Sequence, residues 1–254
     1  MRNLFSVEEK IILITGSTRG LGRAFAEGFA DAGATVVING RSEETVARAV
    51  DEIRRDGGKA EPCAFDVAES DAVKEAIDGL ESRLGRIDVL VNNAGIHRRA
   101  PLDDLTMNDW ETVIGVNLNS VFLVSQCVSK GMSSRGHGKI INISSLNSIG
   151  ARPTIANYCA AKGGINALTR SMATEWGGRN IQANAIAPGY FITDMTQQLA
   201  DQPEFDNWVK SQVPSGRWGL PEDLIGTTIY LASSASDYVN GHVLVVDGGW
   251  TSHL

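Results

Sequence analysis

Tyr158 and Lys162 lie four positions apart in the run Tyr158-Cys159-Ala160-Ala161-Lys162, which puts both on one face if the segment is helical. A free tyrosine titrates near ~10, too high for a base at neutral pH, and an ammonium beside the phenol favours its ionised form. Such a pair can pass a proton to and from a substrate oxygen. Ser145 stands upstream, just after the apolar run 139–144, where its hydroxyl could hydrogen-bond an oxygen that is gaining negative charge. A tyrosine and a lysine at helical spacing more often decorate a surface, and it is the nearby Ser145 that gives this pair a chemical setting.

A second set of residues is suited to holding rather than reacting. Gly16, Ser17, Thr18, Arg19, Gly20, Leu21 and Gly22 follow an apolar run and open a helical pattern. Residues without side chains let a pyrophosphate approach the backbone, and the amino end of a helix adds free N–H groups and partial positive charge. The spacing is GxxxGxG rather than the dinucleotide fingerprint GxGxxG, so a glycine turn needed only for packing is the competing explanation. After the next apolar run, residues 38–42 offer no carboxylate to hold ribose hydroxyls. Arg41 offers a guanidinium to a 2′-phosphate instead, with Arg19 as a second charge, which favours NADP(H) and leaves NAD(H) as the alternative. The plain alternative is that Arg41 is a solvated loop residue. Asp66 and Val67 end the third apolar run, where the carboxylate could accept from an adenine amine or cap the following segment. Asn93, Ala94 and Gly95 follow the fourth, and Pro188, Gly189 and Thr193 the sixth. These could line the nucleotide and its nicotinamide, although both segments also suit ordinary turns.

The elements that must position these groups alternate along the chain. The short, branched, apolar run 10–15 reads as a strand buried on both faces, 34–39 repeats that pattern, and further strands are read at 60–65, 87–92, 139–144, 180–187 and 242–247. Between them, helical spacing covers 21–32, 43–55, 70–84, 108–132 and 156–176. Strands separated by helices imply parallel pairing with right-handed crossovers and helices on both faces of the sheet. The expected fold is therefore α/β, a doubly wound Rossmann sheet of about seven strands. No linker or repeat marks a boundary, so residues 1–254 form one domain, with the irregular stretch 188–219 as a lid over the site.

With 23 Lys+Arg against 30 Asp+Glu, a net charge of −7 gives no electrostatic footprint for nucleic acid or anionic lipid, and a small-molecule substrate is expected. Cys63, Cys127 and Cys159 are too scattered for a disulfide framework or a zinc knuckle, no metal is expected, and a reducing cytoplasm suits them. No apolar run has the length of a membrane span, and the first ten residues carry charges where a signal peptide would be apolar.

Taken in order, these segments resemble the short-chain dehydrogenase/reductase family over essentially the whole chain. Its TGxxxGxG pattern is met by Thr15, Gly16, Gly20 and Gly22, its NNAG by Asn92 to Gly95, and its serine, tyrosine and lysine by Ser145, Tyr158 and Lys162. Its further active-site asparagine matches Asn117. The resemblance implies hydride transfer between a nicotinamide and a secondary alcohol or ketone. Tyr158 would then be the acid/base, and Ser145 would hold the substrate oxygen. Lys162 would lower the tyrosine pKa and bind the nicotinamide ribose, and Asn117 would hold a relay water. It also implies a homotetramer. The stretches 93–99, 215–219 and 235–250 resemble a sugar-acid branch that includes gluconate 5-dehydrogenases and 2-deoxy-D-gluconate 3-dehydrogenases. Arg98, Arg99 and Arg152 could bind a substrate carboxylate, with Asn147 beside them and His97 able to hydrogen-bond a polyol. The alternatives are a 3-oxoacyl-[acyl-carrier-protein] reductase, for which the acidic balance is unfavourable, and a non-catalytic nucleotide-binding protein, which the intact Ser145, Tyr158 and Lys162 argue against.

Overall fold

The computed structural model describes residues 3–252, so the outermost two residues at each end of the 1–254 domain lie outside the described residues. Its strands are β1 (Ile11–Ile14), β2 (Thr35–Gly40), β3 (Lys59–Ala64), β4 (Val89–Asn92), β5 (Gly138–Ile143), β6 (Ile181–Pro188) and β7 (Val243–Val246). They form one parallel sheet in the order β3-β2-β1-β4-β5-β6-β7. The inner strands β1, β4, β5 and β6 are buried almost throughout because successive side chains point to opposite faces and helices cover both, whereas the edge strands β3 and β7 are only partly buried. In β1, Ile12 and Ile14 enter one core cluster and Leu13 the other.

Helices α1 (Gly20–Asp31) and α2 (Glu43–Arg55) cover the first face, supplying Phe25, Phe29, Val46 and Ile53. Helix α3 (Ser70–Leu84) covers the second with Val73 and Ile77. The expected helix at 108–132 is longer and interrupted. It comprises α4 (Met107–Ile114), a π turn (Gly115–Asn119) and α5 (Ser120–Arg135). By length and apolarity it could cross a membrane, but Val121, Val124, Val128 and Met132 are spent on the sheet. Helix α6 (Ala156–Trp176) packs beside it through Ile165 and Met172.

The stretch 188–219 is more ordered than its composition suggests. It contains α7 (Gln197–Ala200) and α8 (Pro203–Gln212), and a bridge between Phe191 and Gly219 ties its two ends together. Pro203, which reads as a breaker, stands in the first turn of α8, where its missing N–H costs no helical hydrogen bond. A short helix absent from the sequence reading, α9 (Ile225–Ala232), lies against α1, with Ile225 filling the space a side chain at Gly28 would need. The chain reverses direction across the sheet between β1 and β4, and a crevice opens there at the strands' carboxyl ends.

Candidate active site

One cleft of about 1220 Å³ runs along those carboxyl ends, lined by residues from each of the segments singled out above. At its nucleotide end, Gly16 adopts a positive φ of 62°, and a Cβ there would stand 2.9 Å from the Ala94 Cα, so the close approach of the two loops requires glycine. Asn93 clamps the same approach: its amide donates to the carbonyls of Thr15 (3.0 Å) and Gly16 (3.1 Å). Asn39, buried at the end of β2, accepts from the Gly16 N–H (3.0 Å) and donates to the carbonyls of Cys63 and Phe65. No side chain caps the first turn of α1, so its amide groups stay available to an anion at the cleft.

Two residues of the glycine segment do not line the cleft. Ser17 is buried, donating its N–H to the Asn39 carbonyl (2.9 Å) and its hydroxyl to the Ile14 carbonyl (2.7 Å), which closes the turn internally. Gly22 is a packing glycine, since a Cβ there would collide with the Asn93 amide and the Gly16 carbonyl. Thr18, Arg19, Gly20 and Leu21 do line it, as do Arg41, Asp66, Val67, Ala94, Gly95, Pro188, Gly189 and Thr193. One Asp66 oxygen caps the Ala68 N–H (2.9 Å). Arg48, not singled out from the sequence, joins Arg41, Ser42 and Thr45 on the wall. Ser42, Thr45 and Arg48 recur every three residues, a spacing that identifies one face of α2 and could have revealed it. Arg19, Arg41 and Arg48 have no acidic partner among the described residues. Free helix amides followed by three uncommitted guanidiniums fit a pyrophosphate and then a 2′-phosphate.

At the reacting end, Ser145 closes β5 and Tyr158 and Lys162 face it from α6. The Ser145 Oγ accepts from the Asn147 backbone N–H (3.1 Å) and side-chain amide (3.4 Å), which leaves its own proton to donate. Burial pushes Tyr158 up to about 12, opposed by its hydrogen bond to Ser145. Burial likewise pulls Lys162 down to about 8. The sequence reading has the ammonium lowering the tyrosine pKa, and the structure reverses that direction. The Lys162 Nζ donates to the Ile143 carbonyl at 2.6 Å and stands 5.5 Å from the Tyr158 ring centroid, so desolvation outweighs it.

Asn117 is fully buried on the π turn and does not line the cleft. Its amide accepts from the Ile96 N–H (2.8 Å) and donates to the Ile96 carbonyl (3.0 Å), so the side chain fixes a loop. That loop carries His97, whose ring stacks on Tyr158 with centroids 4.0 Å apart and planes 28° from parallel. Arg98 and Arg99 follow, both exposed on the cleft wall, and Asn157 of α6 donates to the Arg98 carbonyl (3.1 Å).

Arg152 also lines the cleft, but its guanidinium is engaged. It donates to the Tyr190 hydroxyl (2.6 Å) and lies over Phe205 (4.8 Å) and Trp208 (5.2 Å), both on α8. Tyr190, Trp218 and Trp250 complete the aromatic cluster. Among the described residues the arginines at this end without a side-chain partner are therefore Arg98 and Arg99, whereas Arg152 is held in the aromatic cluster.

Comparison with known proteins gives this arrangement its class. The chain matches the family described as enoyl-(acyl carrier protein) reductase over residues 16–251, and it belongs to the short-chain dehydrogenase/reductases, oxidoreductases that bind NAD(P). It is 46% identical over 252 residues to the gluconate 5-dehydrogenase of Gluconobacter oxydans (strain 621H), covering 99% of this chain and 98% of that one. A gluconate 5-dehydrogenase from Burkholderia cenocepacia J2315, solved in complex with NADP and tartrate, is similar at a TM-score of 0.97 and 50% identity over 99% of this chain and 98% of that one. A 3-oxoacyl-[acyl-carrier-protein] reductase of Thermotoga maritima is 41% identical over 96% of this chain and 98% of the relative.

Proposed function

We propose that this protein is an NADP(H)-dependent dehydrogenase of sugar acids that interconverts gluconate and 5-ketogluconate. The observation that carries this reading is Arg99, an unpaired guanidinium at the reacting end whose charge acts on Tyr158, His97 and Tyr190 at once. A carboxylate held there brings the hydroxylated chain of the same molecule to Tyr158 and Ser145. The full-length likeness to gluconate 5-dehydrogenases supports it, and tartrate in the Burkholderia relative is itself a hydroxylated dicarboxylate.

The bound nicotinamide supplies the hydride donor or acceptor. Tyr158 gives a proton to the carbonyl oxygen in reduction and takes the hydroxyl proton in oxidation. With the phenol held near 12, the resting side chain is the proton-giving form, and oxidation gains as pH rises. Ser145, already accepting from Asn147, donates to the same substrate oxygen and stabilises its negative charge. Lys162 would hold the ribose of the bound nucleotide, and Asn117 keeps the His97 loop in place. The working unit is the single domain 1–254 with 188–219 as lid. In this reading it is a cytoplasmic homotetramer, and its free Cys63, Cys127 and Cys159 suit a reducing compartment.

The test assays sugar acids, free sugars and acyl thioesters with NADP(H) and NAD(H), alongside light scattering for the assembly. NADPH-dependent reduction of 5-ketogluconate is expected, abolished in Tyr158→Phe while NADPH affinity stays within about twofold. Faster turnover of an acyl thioester than of any sugar acid, or activity retained by Tyr158→Phe, would overturn the proposal.

A further inference from the structure

Buried polar atoms rarely go without a partner, and those that do invite an explanation. Among the described residues three buried side-chain atoms have none: His97 Nδ1, Asn147 Oδ1 and Gln182 Oε1. Two of the three line the cleft. They belong, moreover, to one residue stacked on the Tyr158 ring and one bonded to the Ser145 hydroxyl. His97 stacks on the Tyr158 ring, and Asn147 donates to the Ser145 Oγ through both its backbone and its side chain. Ser145 thereby takes up one N–H of the Asn147 amide, and the amide oxygen remains as an unpartnered acceptor.

We propose that His97 and Asn147 are specificity-determining residues that bind the hydroxyl groups on the two carbons flanking the carbon that exchanges hydride. The inference rests on the sugar-acid reading above and adds to it which substrate atoms are read and by what. A hydroxyl is the suitable partner on three grounds. It both donates and accepts, so one group can satisfy the Asn147 oxygen or either imidazole nitrogen. The His97 ring is uncharged at ordinary pH, pulled down to about 4 by burial and by the nearby Arg99 and Lys162, so it has no charge with which to hold a carboxylate. The carboxylate has its own cation in Arg99. Position also agrees. Anything bonded to Tyr158 and Ser145 through its reacting oxygen presents its neighbouring carbons to the two residues packed against them. The Asn117 clamp on Ile96 holds His97 to this geometry, which makes Asn117 a positioning residue for the reader of the hydroxyl.

The test compares kcat/KM for 5-ketogluconate and for its 4-deoxy and 6-deoxy analogues in the wild type, His97→Phe and Asn147→Leu. Phenylalanine keeps the stack on Tyr158 and removes both nitrogens. Each variant is expected to lose about 10- to 100-fold on the full substrate, the penalty for leaving a buried hydroxyl without its partner. On the analogue that lacks the hydroxyl it reads, each should lose less than about threefold further, because the partner is already gone. His97→Gln, which restores a donor and an acceptor, should recover most of the loss. Equal losses on all three substrates would mean that these residues only place Tyr158 and Ser145, and would overturn the inference, as would no loss at all. A wild type that turns over no sugar acid overturns the proposed function and this inference together. A wild type active on sugar acids with variants that do not discriminate the analogues overturns this inference alone.

Discussion

Lys162 is held in the protein at a cost, and the cost can be measured. Its side chain is buried, and its pKa falls from 10.5 to about 8 through desolvation. At ~1.36 kcal/mol per pH unit, keeping it charged at pH 7 costs about 3 kcal/mol of stability. Lys162→Met removes the charge and retains most of the volume. It also removes the hydrogen bond to the Ile143 carbonyl, a loss of about 1–3 kcal/mol that does not change with pH. The absolute stability of the variant at neutral pH is therefore close to that of the wild type or slightly above it. The pH dependence of the difference is the sharper quantity. Between pH 8 and 10.5 the unfolded lysine binds a proton that the folded one has released, so wild-type stability rises with pH through this window. The variant lacks that slope. Urea unfolding of both proteins should show the wild type gaining about 2 kcal/mol on the variant between pH 7 and pH 9.5. A difference that stays flat, or that moves the other way, would refute the desolvation account of this site. Turnover should be lost in the variant at every pH.

Two further perturbations probe the ends of the cleft. Arg41→Asp removes one of three guanidiniums from the expected 2′-phosphate position and adds a charge that repels it, so the KM for NADPH should rise about 10- to 100-fold while that for NADH falls. An unchanged ratio of the two would place the discrimination elsewhere. Hydrogen exchange followed by mass spectrometry should show α7 and α8 becoming protected when NADP and gluconate are added together, and equal exchange with and without ligands would show that 188–219 is not a lid.

How much of this was legible in the sequence depended on the range of the interaction. The glycine turn and the Tyr158–Lys162 spacing are local, set by one turn of chain, and so are the buried strands, whose apolarity reports double coverage. Their positions agree with the sequence reading, apart from shifts of a residue or two at the ends. The π turn at Gly115–Asn119 left no trace, because the apolar pattern runs on through it from α4 to α5. That turn is where Asn117 is aimed at Ile96. The role expected of Ser17 failed for a similar reason: its partner Asn39 is distant in sequence and becomes a neighbour only when β2 pairs with β1. Arg152 looked like a ligand because its cage is assembled from Tyr190, just after β6, and from Phe205 and Trp208, which α8 brings back across the cleft. The direction of the Tyr158 shift was the least accessible, since it turns on how much water each group loses.

The Arg152 cage ties together two parts of the molecule that chemistry might have kept apart. By sequence this arginine belongs to the loop that begins at Ser145, and by contact it belongs to α8. Any change in the length or aromatic content of the 188–219 segment therefore bears on the loop that begins at Ser145. On the proposed reading, substrate range and catalytic rate are not independent variables, and a graft of the 188–219 segment from a relative with a different substrate would have to bring its own cation-accepting face or lose speed along with selectivity.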